Sequence, residues 1–149
     1  MDLFKIFSIS GSGMAAQRSR MSVVAGNLAN TETSRTPDGG PYRRRDVIFQ
    51  SVPIAGEFSG QLADLSDTRD DVQGVEVVGI KQSARPPRKI FDPNHPDAKP
   101  DGFVALPDIN PIEEMVDMLS AARSYEANLT AYNTTKSLIR KILDMGRTP

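Results

Sequence analysis

A chain of 149 residues with 38% hydrophobic and 25% charged side chains has the size and polarity of one soluble domain. It has no cysteine, which excludes disulfides and thiolate metal sites, and its net charge of −1 leaves no basic field broad enough to hold nucleic acid. No apolar run approaches the roughly 18 residues that a membrane span requires.

Residues 3–30 are predicted to be helical. Phe7, Met14, Met21 and Leu28 recur at heptad spacing, with Val24 at the intervening position, and the opposite face is rich in Ala and Ser. Gly11, Gly13 and Gly26 each cost about 1 kcal/mol relative to Ala, so this helix is marginal alone and its apolar seam needs a cover. The opening Met-Asp-Leu-Phe-Lys lacks a basic n-region and a continuous apolar h-region, so any export is expected to use a route without a cleaved signal.

Asn27 and Asn30 stand at the helix end, followed by Thr31 to Pro41, a run of turn formers. Beyond it the β-prone runs are Val47-Ile48-Phe49, Val75 to Ile80, Arg88 to Phe91 entered through Pro86-Pro87, and Gly102 to Leu106. They predict one small antiparallel sheet. Residues 53–73 alternate Gly, Ser and Asp and are expected to form a variable surface loop.

The last helix has the clearest start. Asn110 fits the N-cap, Pro111 the first helical position and Glu113 the capping-box position, while Gly146 ends the pattern. Its predicted seam joins Met115, Ala122, Leu129 and Leu143 to Met118, Tyr125, Tyr132 and Ile139. About 35 residues at 1.5 Å each make a rod some 50 Å long.

The candidate catalytic and ligand-binding signals are weak. Gly11-x-Gly13-x-x-Ala16 imitates a dinucleotide fingerprint, but the polar turn formers at 30–41 stand where its second strand belongs. His95, the only histidine, lies in Asp92-Pro93-Asn94-His95-Pro96-Asp97 with no nucleophile or second ligand nearby, and is read as a turn residue. Asp97 to Asp101 lacks the alternating ligands of a calcium loop, and Arg43-Arg44-Arg45 followed by Asp46 reads as a solvated or salt-bridging face. No catalytic residue, cofactor or metal site is assigned. The chain is not expected to be an enzyme.

Several ordered motifs resemble one known family. Ala25-Gly26-Asn27-Leu28-Ala29-Asn30, then Arg35-Thr36-Pro37-Asp38-Gly39-Gly40-Pro41-Tyr42, is similar to the N-terminal signature of the bacterial flagellar axial rod proteins. Val75 to Ile80, Asp92 to Ala98, Asp101 to Val104, Glu113 to Met118 and Ala122 to Asn128 continue the likeness through most of the chain outside 53–73.

The resemblance implies an α+β subunit with long N- and C-terminal helices packed as a coiled-coil-like pair, with a small central antiparallel β-rich domain. The corresponding division is a rod-core helix over 1–30, a central part over 31–107 and a second rod-core helix over 108–149. It further implies a structural role in the proximal rod, which carries torque across the periplasm and is built after type III export. The implied partners are other copies of the chain, the rod proteins FlgB, FlgF and FlgG, the adapter FliE and the export apparatus, with no nucleic acid and no small-molecule substrate. Phe7, Met14, Met21, Val24, Leu28, Met115, Met118, Ala122, Tyr125, Leu129, Tyr132, Ile139 and Leu143 would then form the assembly interface. Asn27, Asn30, Pro37, Gly39, Gly40 and Tyr42 match the family motif. The alternative is a cytosolic coiled-coil interaction protein.

Overall fold

The computed structural model describes residues 3–54 and 72–146. In chain order the elements are α1 (Leu3–Ala29), β1 (Arg45–Pro53), β2 (Gln73–Gln82), β3 (Arg88–Phe91), β4 (Phe103–Leu106) and α2 (Pro111–Met145), an α+β arrangement. Most of the expected 53–73 loop lies outside the described residues.

The strands do not form one sheet. β1 pairs antiparallel with β2, and β3 pairs antiparallel with β4, as two separate ribbons. Pro86 and Pro87 stand between β2 and β3, and proline supplies no N–H to carry a ladder onward. The first ribbon has a register break between Ile48 and Phe49, where Ile48 faces Gly79 and Phe49 faces Val77, leaving Val78 as the extra residue of a bulge. Along β1 the half-buried Val47 and Phe49 alternate with the exposed Ile48, as expected for a ribbon covered on one side. Both strands of this ribbon pack on α1, and Ser12 Oγ accepts a hydrogen bond from the Val75 N–H at 3.2 Å.

The second ribbon is stapled at its turn. Gly102 has φ +76°, and a Cβ there would lie 2.7 Å from the ring of Phe91, so only glycine fits without moving the ring. Phe91 in turn packs edge-on against Phe103, with centroids 5.3 Å apart. His95 belongs to the same turn, its Nδ1 accepting from the Asp97 N–H at 3.0 Å. Ser34 donates to Asp97 at 2.7 Å and so ties the loop after α1 to this turn.

α1 and α2 lie antiparallel with an extensive contact. Phe7 meets Tyr132 edge-on at 4.2 Å, Arg20 pairs with Asp117 at 3.0 Å, and Asn27 bonds Glu114 at 3.0 Å. Gly13 sits under Asn128: a Cβ at Gly13 would come within 2.9 Å of the Asn128 amide, so here a glycine permits the close approach of two helices. Gly11 faces open space and plays no such part.

α2 begins as its sequence predicts, with the Asn110 side chain accepting from the Ile112 N–H at 3.1 Å and Pro111 in the first turn. The capping box is altered. Glu113 Oε1 accepts from the Asn110 side-chain amide at 3.2 Å, because the Asn110 Nδ2 is a donor that a Ser or Thr cap lacks. Gly11 and Gly13 lie within helix α1, not in a loop after a strand, so the dinucleotide fingerprint has no structural counterpart.

Candidate assembly surface

The inner face of α2 is defined by what it touches and by burial. Glu114, Ala121 and Thr135 are buried and Asn128 is half-buried, while Met118, Tyr125, Tyr132 and Ile139 are also half-buried. These eight positions step alternately by four and three residues, the spacing of one helix face. Only one of the two predicted heptad positions falls on this face. The other, carrying Met115, Leu129 and Leu143, is displaced by one residue from the Glu114–Ala121–Asn128–Thr135 line, and these three side chains are exposed while Ala122 is half-buried.

On α1, Val24 is buried and Phe7, Met14, Met21 and Leu28 are half-buried. Tyr125 lies with its hydroxyl 3.5 Å from the Arg18 guanidinium. The face of α2 away from α1 carries Ile112, Val116 and Leu119, all more than half exposed. Singly exposed apolar side chains are ordinary, whereas these three share one helix face.

The pair is held at its root by a polar node that sequence reading does not anticipate. Asn27 is fully buried at the last turn of α1. Its Nδ2 donates to the Arg45 carbonyl at 2.8 Å and to Glu114 Oε2 at 3.0 Å, while its Oδ1 accepts from the Arg45 N–H at 2.9 Å and the Tyr42 hydroxyl at 3.1 Å. All four hydrogen-bonding places of the carboxamide are filled. By taking both backbone groups of Arg45, Asn27 substitutes for a neighbouring strand on the edge of β1 opposite β2.

Glu114, only 1% exposed, also accepts from Arg44 Nε at 2.5 Å. Arg44 further reaches Asp46 at 2.6 Å and Asp117 at 3.5 Å. Burial alone lowers the Arg44 pKa, but the hydrogen bond and charge of Glu114, with Asp46 and Asp117, reverse this and hold it above the ordinary arginine value. Burial also pushes the Tyr42 phenol up; Arg45, whose guanidinium lies 5.5 Å from the ring centroid, pulls it down, and Glu114 adds to the rise. The net pKa is above 10.0.

The remaining motif residues shape the turn that leads to the node. Asn30 Nδ2 closes back on the Gly26 carbonyl at 2.8 Å, and its Oδ1 accepts from Thr33 at 3.1 Å. Past Pro37, Gly39 and Gly40 take φ of +83° and +80°, closing a turn in which the Thr36 N–H reaches the Gly40 carbonyl at 2.9 Å. Tyr42 is thereby returned to the helix end, its N–H on the Thr33 carbonyl at 3.0 Å.

The open cleft beside the node, about 260 Å³, is walled by Arg20, Arg44 and Asp117, whose charges already pair with one another. No group of three or more His, Cys, Asp or Glu side chains suited to a metal occurs among the described residues, and no described helix is long and apolar enough to cross a membrane.

Terminal helices joined through a buried polar root, with apolar side chains turned outward, define a structural assembly subunit. Comparison with known proteins identifies the kind. Residues 7–35 match the family described as flagella basal body rod protein, and residues 101–145 match the C-terminal family of flagellar basal body rod FlgEFG proteins. The two matches take in Asn27 and Glu114 respectively. The flagellar basal-body rod protein FlgC of Borreliella burgdorferi is 43% identical over 149 aligned residues, covering 96% of this chain and 97% of the relative. Those of Salmonella typhimurium and Bacillus subtilis are 38% and 40% identical, each covering 99% of this chain and the whole of the relative. The chain belongs to the FlgC family of flagellar basal-body rod proteins, which are structural proteins and not enzymes.

Proposed function

We propose that this chain is a proximal-rod subunit that transmits torque across the periplasm after export by the flagellar type III apparatus. That it is a structural rod subunit of the flagellar basal body follows from its family. What supports a shaft built from its helices is the division of α2 into an inner face already occupied by α1 and an outer face carrying Met115, Leu129 and Leu143.

On this reading the helices pack in a coiled-coil-like pair. The alternating four and three spacing from Glu114 to Ile139 supports it, and polar Glu114 and Asn128 within the seam fix its register, as single polar residues do in coiled coils. Among the predicted interface residues, Phe7, Val24, Met118, Tyr125, Tyr132 and Ile139 then hold the pair, while Met115, Leu129 and Leu143 face neighbouring subunits. Burying one such exposed side chain contributes about 1–2 kcal/mol per contact. The neighbours are further copies and other rod components, with FlgB, FlgF, FlgG and FliE as the specific partners.

Fractionation tests this against a cytosolic coiled-coil protein. The chain should co-sediment with detergent-extracted basal bodies; recovery only in the soluble cytosol would support the alternative.

A further inference from the structure

The second ribbon is attached to the rest of the chain through loops. Among the described residues, β3 and β4 bring their backbone close to none of α1, α2, β1 or β2. Val104, only 2% exposed, and Ala105 lie instead with Ser34, Arg35, Gly40 and Pro41 around a shared cleft. The polar tie between the two sides is the Ser34 hydroxyl on Asp97 Oδ2 at 2.7 Å. The other polar link, Arg85 to Asp108 beside this ribbon, is 3.9 Å long with both side chains exposed, so it holds weakly.

Asp97 is aimed by a series of side-chain caps. In the turn from 92 to 103 three side chains each accept from the backbone N–H two residues on: Asp92 Oδ1 from Asn94 at 3.2 Å, His95 Nδ1 from Asp97 at 3.0 Å and Asp101 Oδ1 from Phe103 at 3.3 Å. They differ in what a proton does to them. A carboxyl group keeps acceptor capacity after protonation, whereas an imidazolium has two N–H donors and no acceptor. Protonated at Nδ1, His95 meets the Asp97 N–H donor against donor, and the ring must turn away. It is the only histidine of the chain, and histidine is the side chain whose ordinary charge change falls between pH 5 and 8.

Charges of both signs surround the ring. In its own turn Asp92, Asp97 and Asp101 favour the imidazolium and Lys99 opposes it. From the loop after α1, Arg35 shares the cleft with Asp97 and Lys99 and opposes it too. We propose that His95 is an acid-sensitive latch on the second ribbon. Neutral, it holds the Asp97 backbone and so presents the carboxylate to Ser34. Protonated, it releases both, and the β3–β4 ribbon comes away from the loop after α1. The latch is closed on the alkaline side and opens as pH falls, while the Asn27–Glu114 contact, which contains no histidine, stays closed.

Amide hydrogen exchange of the full-length chain at pH 7.5 and 5.0, corrected for intrinsic rates, tests this. Protection at Asp97 and through residues 88–106 should fall about fivefold at the lower pH, the factor that one net hydrogen bond carries, while α1 and α2 keep theirs. His95→Asn retains an acceptor for the N–H two residues on and cannot gain a proton, so its protection should be the same at both pH values. Ser34→Ala should show the lowered ribbon protection already at pH 7.5. Ring-nitrogen NMR of the wild-type chain is a readout that needs no variant: Nδ1 should be unprotonated at pH 7.5 and gain its proton over the interval in which Asp97 loses protection. Unchanged wild-type protection at pH 5.0, an equal loss in His95→Asn, or an Nδ1 already protonated at pH 7.5 would each overturn the proposal.

Discussion

Asn27 and Glu114, 87 residues apart in sequence, meet at 3.0 Å with both side chains buried, and together they fix where the two terminal helices join. Neither is a typical core residue. Asn27 completes the edge of β1 and receives the Tyr42 hydroxyl, while Glu114 neutralises Arg44, so one contact orders two helices, a ribbon and the intervening turn. A buried, fully paired polar cluster specifies one arrangement where an apolar one would tolerate several.

Breaking this contact should be costly from either side. Asn27→Ala strands the Arg45 N–H and carbonyl, and each unsatisfied buried group costs about 1–3 kcal/mol, so urea unfolding should show a loss of at least about 2 kcal/mol. Glu114→Ala should cost about 2–3 kcal/mol, below the value for a fully buried pair because the Arg44 side chain is 27% exposed and keeps Asp46 and Asp117. An unchanged midpoint in either variant would show that the node does not hold the fold.

The helical glycines should separate on substitution. Gly11→Ala meets nothing within 4 Å and should raise stability by about 0.5–1 kcal/mol through helix propensity alone. At Gly13 the same change pushes against Asn128, whose Nδ2 is held by the Ser124 carbonyl at 3.0 Å, and should cancel or reverse that gain. Thermal melts of the two variants compare them directly; equal gains would mean that the helices do not approach at Gly13 as described.

Tyr42 gives the fold a signature at alkaline pH. Its folded pKa is raised above 10.0, so its contribution is complete below pH 10 and is lost as pH rises through the folded value, when the hydroxyl no longer donates to Asn27 and a phenolate faces Glu114. The stability difference between the wild-type chain and Tyr42→Phe should be constant up to about pH 10 and narrow above it. A gap that widens with pH would reverse the assigned sign.

The fold is legible in the sequence where one residue type has one local job. Asn110-Pro111 marks the start of α2, and the β-branched run at 75–80 is a strand, because capping and strand preference act over a few residues. The node is not legible there, since Asn27 reads as a helix end and Glu114 as one of two acids in the first turn of α2 until the chain brings them together. Apolar periodicity placed Met115, Leu129 and Leu143 on one seam, yet the positions facing α1 hold Glu114, Asn128 and Thr135. In a subunit that leaves apolar surface uncovered, hydrophobicity does not by itself mark the inner face. The single sheet became two ribbons for a reason visible in Pro86-Pro87, whose effect on pairing depends on which strands are neighbours.

Leu129→Asp places a charge on the outward line of α2, 38% exposed in the free chain. Burying that carboxylate unpaired against a neighbour carries a desolvation cost of several kcal/mol, enough to prevent assembly. The variant should be exported at normal levels and fail to restore swimming, read by motility in soft agar beside immunoblots of exported protein. Normal swimming would remove Leu129 from the interface.

On the proposed reading, this chain builds the rod with its paired terminal helices. Electron cryomicroscopy of isolated basal bodies tests it most directly. Rod density should fit α1 and α2 as an antiparallel pair, with Phe7 against Tyr132 and the outer face of α2 covered by a neighbouring subunit. Basal bodies with a complete rod and no density for this chain would contradict it.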